Sequence, residues 1–359
     1  MTFCHSVLPG RLFGLSSIRF VLLENRSIVS TFMKAVVGGE QGSPEVRDVA
    51  IPIPQDGEVL VRVRATSVND YDFFIMHPPL PFRIIRRVMR ALSNSPPRVR
   101  IGGCDVAGTI EAVGPNVTRF RPGDAVFGDL SRNGFGGFSA FAEYVCASEE
   151  ALLPKPACIT FEQAAALPQA GVLAMQGLLA AGPIQPGWKI LINGAGGGVG
   201  TIGVQVAKLH DVEVTGVDRA SKLEMMRSIG FDHVIDFEKE DFTKSGKQYD
   251  LIVDTKTNRS PFAYARALKA TGTYATVGGE NARMFQLFLG GWCLNRMTGK
   301  NLKALALKQN SHLPYLAGLC EAGRLVPVID GPYLWRDASE ALRYFLSGQH
   351  KGKVIITVD

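Results

Sequence analysis

The stretch ILINGAGGGVG at residues 190–200 constrains this chain more than any other. It begins as an apolar run, Ile190-Leu191-Ile192, then sheds side-chain bulk at Gly194, Gly196, Gly197, Gly198 and Gly200. Beyond it, Val199, Ile202, Val206 and Leu209 recur at helical spacing, one apolar face of an amphipathic helix. The order is strand, glycine turn, helix. In the register Ala195-x-Gly197-x-x-Gly200 the turn matches the dinucleotide fingerprint, with Ala in the first glycine place. Glycine there permits a tight turn, brings backbone amides to a pyrophosphate and lets helix pack closely on strand. The helix N-terminus then favours the anion.

A glycine run by itself also fits a surface loop, so the context decides. Val212–Val217 alternates as a strand and ends at Asp218, 18 residues after Gly200, where the fingerprint places an acidic ribose ligand. Further strands are expected at Asp232–Phe237, Tyr249–Asp254 and Thr273–Val277. Helical stretches around Leu223–Ile229 and Phe262–Lys269 lie between them. Strands alternating with helices predict a parallel sheet covered on both faces, an α/β domain.

A chain of 359 residues has room for two domains, and 46% apolar with 20% charged residues is the make-up of a globular protein. No apolar run reaches the roughly 18 residues that span a bilayer. The six cysteines are scattered with no C-x-x-C, which excludes a disulfide framework and a structural zinc lobe. The net charge of +6 is local: residues 1–32 carry +2 and residues 77–100 carry +6, which leaves −2 on the rest. Such a balance does not describe a nucleic-acid surface. Residues 1–32 contain Arg and Ser and little acid, as transit peptides do. They read either as a targeting leader, which would send the protein to mitochondria or plastids, or as an extension upstream of Met33, which would leave it cytoplasmic.

From Met33 the pattern changes to short strands and turns. Val59, Val61, Val63 and Ala65 alternate with Leu60, Arg62 and Arg64, and GTIEAVGPNVTRFRPGDAVFG gives strand, turn, turn and strand. SVNDYDFF, GGCDVAGTIEAVG, PGDAVFGD, FAEYV, AAALPQAGVLAMQGL, NGAGGGVG, SIGFDHVID and GKVIITV then follow in order. Over residues 33 to 359 this series resembles the zinc-independent quinone oxidoreductase branch of the medium-chain dehydrogenase/reductase superfamily. The resemblance implies a GroES-like β domain at 33–157, a Rossmann domain with a doubly wound parallel sheet at 158–300, and a return to the β domain at 301–359. It also implies a cleft for a nicotinamide cofactor, NADP(H) or NAD(H), and a small carbonyl or quinone substrate.

Zinc-dependent members hold their metal with a Cys, a His and a Cys. Carried onto this sequence, those places are Asn69, Cys104 and Gln169. One thiol does not make a site that needs three protein ligands, so no metal is expected. Without a Lewis acid the easier reaction is reduction of an enone or quinone, whose conjugation already polarises the acceptor carbon. The protein then aligns the hydride donor and stabilises the developing oxyanion.

For the cofactor, Gly196, Gly197, Gly198 and Val199 are expected to meet the pyrophosphate. Asp218 favours NAD, whereas Arg219 and Lys222 beside it favour a 2′-phosphate. The resemblance places Phe237 beside the adenine, Gly278 and Gly279 near the nicotinamide, and Lys353 reaching back to the cofactor. Catalytic candidates are few. Asn69 would hold the nicotinamide ribose or amide, and Tyr71 would donate to the substrate oxygen; a structural Tyr fits Tyr71 equally well.

Phe82, Ile85, Met89 and Leu92 form an apolar face opposite Arg83, Arg86, Arg87 and Arg90, a basic amphipathic helix inserted in the β domain. It reads first as a lid on the cleft and second as contact with an anionic membrane. The resemblance further implies a homodimer joined along an edge strand near Phe262–Gly279. Three functions stay open at this point: an NAD(P)H-dependent quinone or enone reductase, a non-catalytic NADPH-binding sensor or structural protein on the same fold, and an alcohol dehydrogenase.

Overall fold

The computed structural model describes residues 31–38, 44–76, 101–131 and 139–358. The chain divides into Met1–Thr31 and Phe32–Asp359, and all the sheets belong to the second. The leader and the basic segment 82–92 lie outside the described residues. Among the described residues no helix is long and apolar enough to cross a membrane.

The β domain opens with a hairpin, β1 (Phe32–Gly38) and β2 (Pro44–Ala50). A seven-stranded sheet follows, built on β3 (Glu58–Ser67), β4 (Asp105–Val113), β5 (Ala125–Asp129), β6 (Tyr144–Ser148) and β7 (Leu153–Pro154). Alternation explains β3: Val59, Val61, Val63 and Ala65 are buried while Arg62 and Arg64 face water. Helix Phe161–Ala165 starts at a capping box between Thr160 and Gln163 and packs on β3 and β4.

The second domain is a six-stranded, all-parallel sheet. Its strands are β8 (Lys189–Asn193), β9 (Glu213–Asp218), β10 (His233–Asp236), β11 (Tyr249–Asp254), β12 (Leu268–Thr276) and β13 (Asn301–Ala304), in the spatial order β10-β9-β8-β11-β12-β13. This is the doubly wound order, and its direction reverses between β8 and β11, the place where such sheets bind ligands. Ile190, Leu191 and Ile192 are buried because helices cover both faces. One core holds the two domains together: Ala65, Ala107, Phe127 and Ile355 of the first share it with Leu167, Ile190 and Leu316 of the second. The chain then returns through β14 (Ile329–Leu334) and β15 (Lys353–Thr357), and β15 joins β3.

Two expectations are corrected here. The parallel sheet does not end at residue 300. β13 extends it to Ala304, helix Leu313–Glu321 packs against helix Pro168–Leu178, and the return begins with β14. At the other boundary, helix Phe161–Ala165 still belongs to the β domain. β13 reads NLKA with Leu302 as its one buried residue, so no apolar run or alternation marks it. Nor is the segment near Phe262–Gly279 an edge: β12 lies between β11 and β13, and the sheet ends at β10 and β13.

Candidate active site

β8 ends at Asn193, whose Nδ2 donates to Asp254 Oδ1 at the end of β11 (2.9 Å). The chain then turns at Gly194, with φ 82°, and the amides of Gly194 and Ala195 both donate to Val217 O. Gly196 N donates to Asp218 Oδ2 (2.8 Å). Helix Gly198–Ala207 follows, with Gly197 as N-cap and no side chain capping it, so its first-turn amides face outward. A Cβ on Gly200 would run into the backbone of Ala195, so only glycine lets helix and turn approach this closely. Gly196, Gly197, Gly198 and Val199 thus line the turn and the helix start.

Asp218 is placed beside that turn but is already occupied. Its Oδ1 accepts from Arg219 N (2.9 Å) and lies 3.4 Å from Lys222 Nζ, and both side chains are buried. It braces the turn and serves as counter-ion for Lys222. Burial lowers the Lys222 pKa, Asp218 opposes that, and Lys256 and Arg219 add to it. The Arg219 guanidinium lies 6.0 Å from the centre of the Phe237 ring. Asn193, Asp218, Arg219, Lys222, Phe237 and Lys256 enclose a cavity of about 180 Å³.

Lys353 stands on the other side of the turn. Its aliphatic stem covers the space that a side chain at Gly198 would fill. Its Nζ donates to Asn69 Oδ1 (2.6 Å) and Val68 O (3.1 Å) and lies 3.5 Å from Asp105 Oδ2. Asn69 Nδ2 donates to the same Asp105 oxygen (3.0 Å), and Asp105 Oδ1 accepts from Gln169 N (3.0 Å). Asn69, Asp105, Gln169 and Lys353 therefore form one buried knot that ties the glycine turn to the β domain.

Tyr71 packs against the β-domain cluster that contains Val61, Cys104 and Leu130. Gly278 and Gly279 close β12 against the loop after β11. Thr276 Oγ1 donates to Gly278 O (2.8 Å), and a Cβ on Gly279, at φ 125°, would strike the Lys256 backbone.

Sequence reasoning missed Asp105, Lys256 and His350. His350 is 8% exposed and stacks on Phe345 at 4.6 Å between ring centres. Its Nδ1 has no hydrogen-bond partner among the described residues, and its Nε2 lies 3.9 Å from where a Cβ on Gly197 would stand. Burial pushes its pKa down to about 4, helped by Lys222, Lys256 and Lys353. The only signal was its place three residues before Lys353. A dinucleotide fits these residues: the turn leaves room for backbone approach, cations surround it, and an orphaned imidazole nitrogen awaits a polar group.

Comparison with known proteins agrees with this geometry. Residues 55–157 match the model described as alcohol dehydrogenase GroES-like domain, and residues 229–356 match that described as zinc-binding dehydrogenase. A chloroplastic quinone oxidoreductase of Triphysaria versicolor is 30% identical, with 89% of this chain and 95% of that protein covered. A mitochondrial NAD(P)H oxidoreductase of Bos taurus is also 30% identical, over 92% and 90%. The solved quinone oxidoreductase of Coxiella burnetii superposes with a TM-score of 0.76 at 24% identity, covering 91% of this chain and 100% of that one, a likeness of fold.

The second model's description implies zinc, and the residues present do not fit one. Asn69 and Gln169 stand in two of the three places, with Asn69 already engaged by Lys353 and Asp105. Cys104 Sγ donates to Asp72 Oδ1 (3.0 Å), and burial beside Asp72 raises the thiol pKa well above its ordinary value, so it is protonated. Among the described residues no three His, Cys, Asp or Glu side chains are grouped to hold a metal.

Proposed function

The chain belongs to the medium-chain dehydrogenase/reductase superfamily of oxidoreductases, and from that premise we propose that it is an NAD(P)H-dependent reductase of quinones or α,β-unsaturated carbonyls that works without zinc. The observation that carries this reading is the Asn69–Lys353–Asp105 knot, which stands where a metal site would otherwise be and abuts the glycine turn.

A bound nicotinamide dinucleotide supplies a hydride. The first-turn amides of helix Gly198–Ala207 hold its phosphates, and Lys353 covers the turn from the substrate side. Phe237 offers a face for the adenine. Arg219, Lys222 and Lys256 give the adjoining cavity a positive field suited to a 2′-phosphate, so NADPH is preferred and NADH is also used. Asn69 is held rigidly by Lys353 and Asp105, which fixes the floor against which the nicotinamide and the acceptor align. A conjugated acceptor needs only that alignment and a hydrogen bond to its developing oxyanion, and the final proton comes from solvent.

The test is NADPH oxidation with a panel of quinones and enones, run beside a fluorescence titration of the nucleotide. Turnover on either class with tight NADPH binding supports the reading. Binding without turnover on the whole panel replaces it with a nucleotide sensor.

A further inference from the structure

His350 has no part in the reaction just described, yet it is the buried polar group that lies over the glycine turn. The loop that carries it is tied to that turn: Gly352 N donates to Gly196 O (2.8 Å), and Gly352 pairs with Gly197. Phe345, from helix Ala338–Ser347, fixes the ring by stacking. The charged groups that face the imidazole come from three other elements. Lys222 and Asp218 lie at the end of β9 and the turn after it, Lys256 lies in the loop after β11, and Lys353 is on β15. Lys353 is partly balanced by Asp105 and Lys222 by Asp218, which leaves Lys256 to tip this pocket toward positive charge, and Nδ1 finds no partner among the described residues. Burial first, and these ammonium groups after it, hold the imidazole neutral, and an anion brought against the ring would oppose their share.

We propose that His350 is a ligand of the dinucleotide's pyrophosphate and takes up a proton from solvent as the phosphates arrive. The inference rests on the cofactor reading above and adds a coupled proton to it. Each pyrophosphate brings two negative charges to the start of helix Gly198–Ala207. They neutralise the field of Lys222, Lys256 and Lys353, and the imidazolium then becomes the favoured form and a charged donor. By linkage, nucleotide affinity rises as pH falls, by at most about tenfold per pH unit for one proton.

The experiment is calorimetric titration of NADP⁺ and of NAD⁺ into the full chain at about pH 6.5, in two buffers of different ionisation enthalpy. NAD⁺ lacks the 2′-phosphate, which titrates in the same range. Wild type should take up a fraction of a proton with both nucleotides. His350→Gln should bind either one more weakly and lose that uptake. Equal uptake in His350→Gln overturns the proposal, as does nucleotide binding to wild type with no uptake in either titration. The wild-type measurement stands by itself if the variant fails to fold. With six histidines in the chain, the ring C–H signals offer a second readout: one should move to the imidazolium position on saturation with NADP⁺, and a set that does not move speaks against the idea. Failure of both nucleotides to bind overturns the cofactor reading itself, whereas binding without proton uptake overturns only the role of His350.

Discussion

Asn69 Oδ1 lies 2.6 Å from Lys353 Nζ across 284 residues of chain, and both groups are buried. This contact joins the segment just after β3 to β15, beside the glycine turn of the other domain. Lys353 is also the cation nearest the Asp105 carboxylate in this knot. Lys353→Ala should therefore leave Asp105 buried without its partner and lower stability by about 3–5 kcal/mol. Lys353→Arg should recover much of that stability but little turnover, because the longer, planar head cannot hold Asn69 in the same place. Denaturant melts and kcat on one quinone check both outcomes.

Lys222 and Asp218 make a second prediction, on cofactor choice. Lys222→Ala should weaken NADPH binding by more than tenfold and NADH binding less, since the ammonium lines the cavity assigned to the 2′-phosphate. Asp218→Ser should raise the NADPH:NADH preference by removing a like charge, while weakening both through the lost hydrogen bond to Gly196 N. The ratio of dissociation constants from fluorescence titration measures this. A wild type that prefers NADH by more than about tenfold would contradict the assignment.

The buried carboxyls of the β domain predict how stability responds to pH. Burial pushes Asp72 up to about 6 and Asp129 up to about 7. Both bind protons more tightly folded than unfolded, so they hold their stabilising form at low pH, and stability falls as pH rises from about 4 through about 7. His350 acts the other way below about 6.5, because its folded pKa is lowered to about 4. Asp129→Asn isolates one contribution: it should flatten the fall in melting temperature between about pH 5 and about pH 8, and should be the more stable chain at the upper end. A wild type and variant whose curves run parallel would refute this.

Purified protein should contain well under one zinc per chain, and a chelator should leave turnover unchanged. The reason is the donor set, two amides and a protonated thiol, at Asn69, Gln169 and Cys104. Elemental analysis decides it.

Gly200→Ala should destabilise the fold by about 1–3 kcal/mol and abolish nucleotide binding, since the added methyl meets the backbone of Ala195, not a movable side chain. Gly123→Ala, a control with open space but φ 96°, should be milder and leave binding intact. Thermal melts and NADPH titration report both.

The glycine turn and the parallel strands were legible because each is a local pattern: an apolar run, a loss of bulk, a helical period. Tyr249–Asp254 was placed to the residue for that reason. Asp218 was found, but its bracing contacts were not. An acid at the end of a strand looks the same whether it waits for a ribose or braces Gly196, and only the fold shows that Lys222 and two amides already claim it. Lys256 and His350 reach the turn through packing between distant segments, which no short window of sequence contains. Tyr71, in helix Asp70–Met76, packs against the β-domain cluster, a contact that no short window of sequence shows either.

β15 lies between β14 and β3, carries Lys353, and follows the last strand of the parallel sheet by some fifty residues. During synthesis the ribosome delivers β3 well before β15. The parallel sheet, complete at Ala304, can fold as soon as it emerges from the exit tunnel, while β3 waits with Asn69 and Asp105 exposed for a strand still being made. A chain cut before Lys353 would therefore keep every strand of the nucleotide sheet and lose the strand that closes on β3 and brings Lys353 to Asn69.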